Sequence, residues 1–187
     1  MAIGGHQSPR MGKDGWLTPP WLLDAVGRQG RGFDLDPCVP INRPWDIAKK
    51  HLTIVEDGYA SPWAPDDFVW LNPPYGQHTW GWLDKLAGHP AGGLALVFAR
   101  TETTGFVRSI WQAADGIFFL EGRLTFFHAD GSPGQGNGGA PSCIAAYGPE
   151  ALRRLRDGAA KGHLHGALLD NRSWQFHARN GQQDRLW

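Results

Sequence analysis

Cysteines and long apolar runs are scarce in this sequence. Its 187 residues contain only Cys38 and Cys143. Two thiols are too few for a disulfide scaffold, so the sequence predicts a reducing cytosol as its compartment. No apolar run reaches the roughly 18 residues of a membrane-spanning helix, and the polar N-terminus has no apolar signal core. We therefore expect a cytoplasmic protein, neither secreted nor inserted in a membrane.

The sequence also has no net charge. Basic and acidic residues number 18 each, so the formal net charge is zero. This balance argues against a generic nucleic-acid coat protein but is compatible with an enzyme that has a local basic cleft. The length fits one domain with its own core. We predict a mobile N-terminus over residues 1–15 and a single domain over residues 16–187.

Segments typical of strands and of helices alternate along the chain. Predicted strands lie in residues 32–38, 68–71, 92–100 and 141–148, with one bulged or two split strands in 116–127. Predicted helices begin after Thr18 and at Pro149 and cover the apolar residues of 82–86 and 106–114. Residues 39–66 are predicted to be mostly loop, with one short helix near Asp46–His51. This alternation predicts an α/β fold with a mostly parallel central sheet flanked by helices.

One predicted strand ends in an unusual corner, FVWLNPPYG at residues 68–76. Ligands of open α/β sheets bind beyond the carboxyl ends of strands, where this corner lies. Two consecutive prolines fix the backbone, so the Asn72 amide oxygen and the Pro73 carbonyl oxygen are held in place. Two fixed acceptors suit a planar amino group with two hydrogens, and Tyr75 can stack on the ring that carries it. The alternative is a proline-stiffened turn with a fully hydrogen-bonded Asn72.

The corner and four further segments resemble the phage-type DNA N6-adenine methyltransferases. Asn72-Pro73-Pro74-Tyr75 is similar to the (Asp/Asn/Ser)-Pro-Pro-(Tyr/Phe) motif of amino-group methyltransferases. The other segments, in the family's order, are WLTPPWLLDAV (16–26), FDLDPC (33–38), FARTETTGF (98–106) and FFLEGRLTFF (118–127). The resemblance implies a Rossmann-like class I methyltransferase fold, S-adenosylmethionine as methyl donor, and adenine in double-stranded DNA as acceptor. It also implies a phage or prophage protein of the bacterial cytoplasm.

The resemblance assigns roles to individual residues. Catalytic roles fall on Asn72, Pro73, Pro74 and Tyr75, which hold a flipped adenine by its amino group and its ring. Cofactor-binding roles fall on Thr18, Pro19, Asp34, Asp36, Pro37 and Cys38. Two alternatives stay open, since Thr18 can be a helix cap and the two aspartates can be turn formers.

Two arginines are candidates for DNA binding. Arg100 and Arg123 can meet DNA phosphates or the cofactor carboxylate, and ordinary surface ion pairs are the alternative for both. A basic helix face at residues 153–161 is typical of a solvated surface. His163 and His165 are not joined by cysteines or carboxylates at ligand spacing, so no metal site is predicted.

Two departures from the family pattern affect these roles. The first predicted strand ends in Asp-Pro-Cys without the glycine-rich turn that most enzymes of this fold carry. Gly105 stands where the family usually has a bulky aromatic residue, so a substrate contact there is missing or replaced.

Two other functions remain compatible with the sequence. The same mechanism serves methylation of RNA or of a protein glutamine amide, and a catalytically silent nucleic-acid-binding module would keep the fold. No separate target-recognition domain is visible, so specificity must come from loops such as 39–66 and 128–141 or from a second subunit of a homodimer.

Overall fold

Helices and strands alternate in the computed structural model, which describes residues 15–27, 30, 32–76 and 78–170. The helices are α1 Pro20–Gly27, α2 Thr79–Ala87, α3 Thr104–Phe106 with a π-helical continuation Val107–Trp111, and α4 Pro149–Ala160. The strands are β1 Phe33–Asp36, β2 Ala48–His51, β3 Val69–Leu71, β4 Gly93–Phe98, β5 Gly116–Leu120, β6 Ser142–Tyr147 and β7 Gly166–Asp170. Except for Gly15, the N-terminal segment predicted to be mobile lies outside the described residues.

The seven strands form one mixed sheet in the order β2-β1-β3-β4-β6-β5-β7. Pairings among β2, β1, β3 and β4 are parallel, whereas β6 is antiparallel to β4 and β5, and β7 is antiparallel to β5. The α/β class is confirmed. The prediction of a mostly parallel sheet holds only in part, because five of the seven described strands share one direction but half of the pairings are antiparallel. The reversed β6 sits between two strands that run in the same direction, and hydrophobic periodicity carries no information on strand direction.

The predicted short helix near Asp46–His51 is wrong, since residues 48–51 form the edge strand β2. Two ion pairs fix this strand: Lys49 binds Asp34 at 2.7 Å, and Lys50 binds Asp67 at 3.0 Å. Pairing with β1 and these long-range contacts override the weak local preference. Exposed lysines are also typical of edge strands, where they discourage pairing with another chain.

Two other segments differ from prediction. Residues 123–127 form no strand of the sheet, and only Phe127 makes isolated bridges, to Leu17 and Pro133. Strand β7 was not predicted. Its five residues include exposed glycine and alanine, so they show neither an alternating pattern nor a buried run.

Two apolar clusters cover the two faces of the sheet. One contains the apolar side chains of α1 and α4 together with Trp70, and the other contains those of α2 and α3 together with Val69 and Leu71. All three residues of β3 are buried, as the apolar run before Asn72 predicts. The sheet therefore lies between two helical layers, and β3 is an interior strand between β1 and β4.

One arginine of the basic face of α4 has a structural role. Arg154 is buried, its guanidinium lies 4.0 Å from the Phe68 ring centroid, and it donates to the Gly32 carbonyl oxygen at 2.7 Å. Burial lowers the pKa of Arg154, an effect that its hydrogen bond to Glu150 opposes. Arg156 pairs with Asp170. Arg154 therefore contradicts the predicted solvated surface, whereas Arg153 and Lys161 are exposed, as predicted. None of the helices in the described part of the chain is long and apolar enough to cross a membrane.

Candidate active site

Three neighbouring strands bring the candidate residues to one edge of the sheet. Because β1, β3 and β4 are parallel neighbours, their carboxyl ends lie side by side. Asp36 ends β1, Asn72 follows β3, and Phe98 ends β4. Such an edge is where open α/β sheets bind ligands.

The corner after β3 is closed by the first residue of α2. The buried Thr79 hydroxyl donates to the Pro74 carbonyl oxygen at 2.8 Å and accepts the Gly76 backbone N–H at 2.9 Å. The two prolines fix the backbone before this turn. Thr79 thus holds the corner rigid, a role that sequence analysis did not assign to it.

The amide nitrogen and the amide oxygen of the Asn72 side chain differ in their hydrogen bonding. Its amide nitrogen donates to the Trp16 carbonyl oxygen at 3.2 Å, whereas its amide oxygen Oδ1 is buried without a hydrogen-bond partner among the described residues. A carbonyl group can only accept, so the amide nitrogen must face Trp16 and Oδ1 must point away. The alternative of a fully hydrogen-bonded Asn72 is therefore wrong.

Trp16 lies next to a short backbone bridge that fixes its position near Asn72. The next residue, Leu17, exchanges two backbone hydrogen bonds with Phe127, at 2.8 and 3.0 Å. The Trp16 indole lies 4.5 Å from the His128 ring, and its Nε1 is buried without a partner. Sequence analysis missed Trp16, because only the folded chain brings residues 16 and 127 together.

Tyr75 presents its ring at the same edge. One face stacks on Phe98, with centroids 4.2 Å apart and an interplanar angle of 14°. The hydroxyl is buried without a partner, and burial raises the pKa of the Tyr75 phenol. The hydroxyl of Ser142, the residue paired with Phe98 in the sheet, is also buried and unpartnered.

Thr18 is not a helix cap. Its hydroxyl is buried and has no partner in the part of the chain that the structure describes, and in the first turn of α1 the N–H groups of Leu22 and Leu23 bind the Pro19 carbonyl oxygen. The helix-cap alternative for Thr18 is therefore wrong. A buried hydroxyl without a partner is destabilising unless a ligand supplies one.

A small cavity lies beside Asn72 and Thr18. It encloses about 20 Å³ and is lined by Trp16, Thr18, Asp36, Cys38 and Asn72, among others. That volume accommodates about one water molecule. Its remaining wall comes from Leu17, from Leu23 of α1 and from the loop before β2, through Val39, Pro40, Arg43, Trp45 and Ile47. A larger cavity of about 500 Å³ adjoins it and shares Leu23, Trp45 and Ile47.

The two aspartates of β1 have different surroundings. Asp36 is buried beside the small cavity, and this burial raises the pKa of its carboxyl group to about 7, against a smaller lowering by the Cys38 N–H. Burial also raises the pKa of the Cys38 thiol. Asp34 instead binds Lys49 at 2.7 Å and the Phe68 N–H at 3.0 Å. The structure therefore brings Asp36 and Cys38 to the cavity, but not Asp34.

Pro37 packs against the loop after β2. A side chain at Gly58 would overlap the Pro37 carbonyl oxygen, so this close approach requires glycine. Lys85 of α2 holds the loop by donating to the carbonyl oxygens of Tyr59 and Ser61, both at 2.6 Å. The Asp-Pro-Cys turn is thus braced from outside by a glycine contact, although no glycine-rich turn follows β1.

The two candidate arginines lie on the surface. Arg100 is exposed after β4, and Arg123 donates to the carbonyl oxygens of Gly138 and Gly139 at 3.5 and 3.1 Å. Neither forms an ion pair with any described residue. The ion-pair alternative therefore has no support for either arginine in this part of the chain.

A comparison with protein-family models identifies the family. The model of the DNA N-6-adenine-methyltransferase (Dam) family matches residues 5–151. The chain belongs to the Dam family. The match spans Thr18, the Asp36–Cys38 turn and the Asn72–Tyr75 corner, so this Dam family member carries its unpartnered polar groups within the family's own segment. Searches of curated proteins and of solved structures found no match. Among the described residues, no His, Cys, Asp and Glu cluster could hold a metal ion.

Proposed function

We propose that this Dam family member transfers a methyl group from S-adenosylmethionine to the N6 amino group of an adenine flipped out of DNA. The observation that carries the proposal is the buried, unpartnered Oδ1 of Asn72 at the carboxyl end of β3. An acceptor left unpaired inside a protein costs free energy. A donor from the substrate, such as an adenine amino group, removes that cost only when it binds.

Asn72 and Pro73 act on the amino group. The Asn72 Oδ1 and the Pro73 carbonyl oxygen accept the two N6 hydrogens, which holds the amino group still and draws the nitrogen lone pair out of the ring plane. Positioning of this kind is the main requirement of the reaction. No strong base is required, because N6 loses a proton only after it has become cationic.

Tyr75 supports the base. Its face opposite Phe98 stacks on the adenine ring, and such stacking contributes about 1–3 kcal/mol per base. This is comparable with the few kcal/mol that flipping costs. Stacking requires the aromatic ring of Tyr75 and not its hydroxyl.

The polar groups of the small cavity fit the cofactor. S-adenosylmethionine, when bound, supplies an electrophilic sulfonium methyl group. The unpartnered Thr18 hydroxyl and the Asp36 carboxyl can bind its polar groups, with Pro19, Pro37 and Cys38 shaping the wall. Asp34 supports the site indirectly, since its oxygens already bind Lys49 and the Phe68 N–H.

Space at the site is limited, so cofactor binding requires movement. A cavity of about 20 Å³ holds one water molecule, not a nucleoside. Residues 39–47 form the wall toward the larger cavity, through Trp45 and Ile47. We infer that this loop shifts when the cofactor binds.

In this proposal Arg100 and Arg123, which are exposed, neutralise DNA phosphates. Local contacts of this kind bind DNA even when the total charge is zero.

The five strands β1–β5 share one direction, since β6 is antiparallel to both β4 and β5. This arrangement supports a Rossmann-like fold, and the single domain over residues 16–187 stays a prediction.

The experiment is methyl labelling. The protein is incubated with tritiated S-adenosylmethionine and double-stranded DNA, and the digested nucleosides are separated. We expect label in N6-methyladenine. Structured RNA and glutamine-containing peptides serve as competing acceptors, and label in either of these but not in DNA would contradict the proposed acceptor.

A further inference from the structure

Gly105 of α3 is covered by an aromatic ring from another helix. A Cβ atom added to Gly105 would overlap the indole of Trp80, at its ring carbons and at Nε1. The absence of a side chain at residue 105 therefore makes room for the Trp80 indole. Trp80 also meets the buried Phe106 ring edge-on, with centroids 6.4 Å apart and an interplanar angle of 80°.

The backbone on both sides of this contact is fixed. Trp80 directly follows Thr79, the residue that holds the Asn72–Tyr75 corner. On the other side, the Thr103 hydroxyl accepts the Phe106 N–H at 3.3 Å and donates to the Arg100 carbonyl oxygen at 2.9 Å. Two rigid segments, one after β3 and one after β4, thus position the indole.

The order of the strands places Trp80 on the acceptor side of Asn72. The cofactor candidates Thr18 and Asp36 lie at the β1 end, and β3 separates β1 from β4. Adjacent strands are about 4.8 Å apart, so the ends of β1 and β4 are separated by about 10 Å. If the cofactor occupies the β1 side, the acceptor must approach from the β4 side. Trp80, Gly105 and the exposed Arg100 belong to the two segments that border that side.

We propose that Trp80 contacts the DNA substrate by stacking on a nucleobase beside the flipped adenine. The half-buried indole is large and packed against Gly105 and Phe106, and Trp80 directly follows the residue that holds the corner. Every base offers a π face to it. The nearby Arg100 meets the backbone phosphate of the same strand. Trp80 is then a DNA-binding residue, distinct from Tyr75, which supports the target adenine. The inference rests on the proposed function.

The test measures DNA binding separately from turnover. Fluorescence anisotropy with S-adenosylhomocysteine present gives the Kd for duplex DNA and for single-stranded DNA, and the melting temperature monitors folding. Trp80→Ala should raise the Kd by about 10-fold or more, the factor expected for a lost base stack. Trp80→Phe keeps an aromatic face and should stay within about threefold of wild type. Because stacking involves no charge, the dependence of Kd on salt should keep its slope.

A reciprocal exchange tests the contact with Gly105. Gly105→Trp alone places two indoles in one volume and should abolish activity. The double variant Trp80→Ala/Gly105→Trp returns an indole from the opposite side and should recover most of the DNA affinity. Trp111→Ala removes the other indole packed on Phe106, 5.8 Å away, and is the matched control. It should lower the melting temperature without the loss of DNA affinity.

The outcomes separate this inference from the proposed function. Wild-type protein that binds DNA but methylates no adenine would contradict the proposed function, whereas the anisotropy comparison would still test Trp80. Trp80→Ala protein that binds DNA as tightly as wild type would overturn the inference alone. So would a double variant with a restored melting temperature and the weak binding of Trp80→Ala.

Discussion

The Asn72 amide nitrogen binds the Trp16 carbonyl oxygen at 3.2 Å, across 56 positions of sequence. This bond fixes which way the side-chain amide faces, because only the nitrogen can donate to a carbonyl oxygen. Oδ1 is consequently preorganised as a free acceptor before any substrate binds. Preorganised polar groups need no rearrangement at the moment of reaction, which is a main source of catalytic power.

Thr18→Val should separate folding from cofactor binding. The substitution replaces an unpartnered buried hydroxyl with a methyl group, so the free energy of unfolding should stay the same or rise by about 1 kcal/mol. Cofactor affinity should fall by about 10-fold, the equivalent of one lost hydrogen bond. Calorimetric titration and thermal melting check the two effects.

Thr103→Val is the matched control for that prediction. The Thr103 hydroxyl has two hydrogen-bond partners, so its loss should lower the melting temperature and leave cofactor affinity unchanged. A Thr18→Val protein that melts earlier and binds cofactor normally would contradict the assigned role.

Asp36 should give the protein a distinctive pH dependence. Its folded pKa is about 7, above the ordinary value of 3.8, so the folded state holds a proton that the unfolded state loses. The Asp36 contribution to stability is therefore present below pH 3.8 and falls as the pH rises to about 7, by up to about 4 kcal/mol. Asp36→Asn should remove this fall, and urea unfolding between pH 4 and 8 measures it.

The affinity for the cofactor should also depend on the ionisation of Asp36, but it should rise with pH where stability falls. If the Asp36 carboxylate binds a positively charged or hydroxyl group of S-adenosylmethionine, affinity should rise as the pH increases through about 7. Asp34→Asn should keep this rise, since Asp34 lies in an ion pair outside the cavity. Equal pH profiles for wild type and Asp36→Asn would exclude Asp36 from the cofactor site.

Tyr75 should act through its ring. Tyr75→Phe removes a buried hydroxyl without a partner and should keep both stability and most of the turnover. Tyr75→Ala removes the stacking surface worth about 1–3 kcal/mol per base and should lower kcat/KM by about 10-fold to 100-fold. Initial rates with duplex DNA measure both effects. A severe loss of turnover in Tyr75→Phe would show that the hydroxyl, and not the ring alone, acts in the reaction.

Arg100 should contribute to the salt dependence of DNA binding. Arg100→Ala should weaken binding to all sequences alike and lower the salt slope by about one unit. Arg108→Ala is the control, because that exposed arginine is paired with Asp84 at 2.8 Å on α2. Identical slopes for the two variants would remove Arg100 from the DNA interface.

The sequence predicts the parts of this site that depend on local chemistry. An apolar run followed by two prolines predicts both the buried β3 and the rigid corner at Asn72. The roles of Trp16 and Thr79 could not be predicted, because each depends on contacts that only the folded chain creates. The edge strand β2 was missed for the same reason, since its pairing with β1 and its ion pairs with Asp34 and Asp67 form only in the folded chain.

The direction of the strands was also beyond local patterns. The apolar residues of β6 are equally compatible with parallel and antiparallel pairing, so only the fold shows its reversal between β4 and β5. The family's segments, in contrast, are readable in sequence because their prolines, aspartates and aromatic residues are tied to specific backbone geometry.

The central claim is that Asn72 Oδ1 accepts a hydrogen from the adenine amino group, and turnover of Asn72→Ala tests it most directly. The rate is measured per folded molecule, with melting temperature and cofactor affinity determined on the same sample. We expect methylation to be abolished while cofactor affinity stays close to wild type, because Thr18 and Asp36 remain. Near-normal turnover, accompanied only by the roughly 1 kcal/mol stability loss of one hydrogen bond to Trp16, would contradict the account.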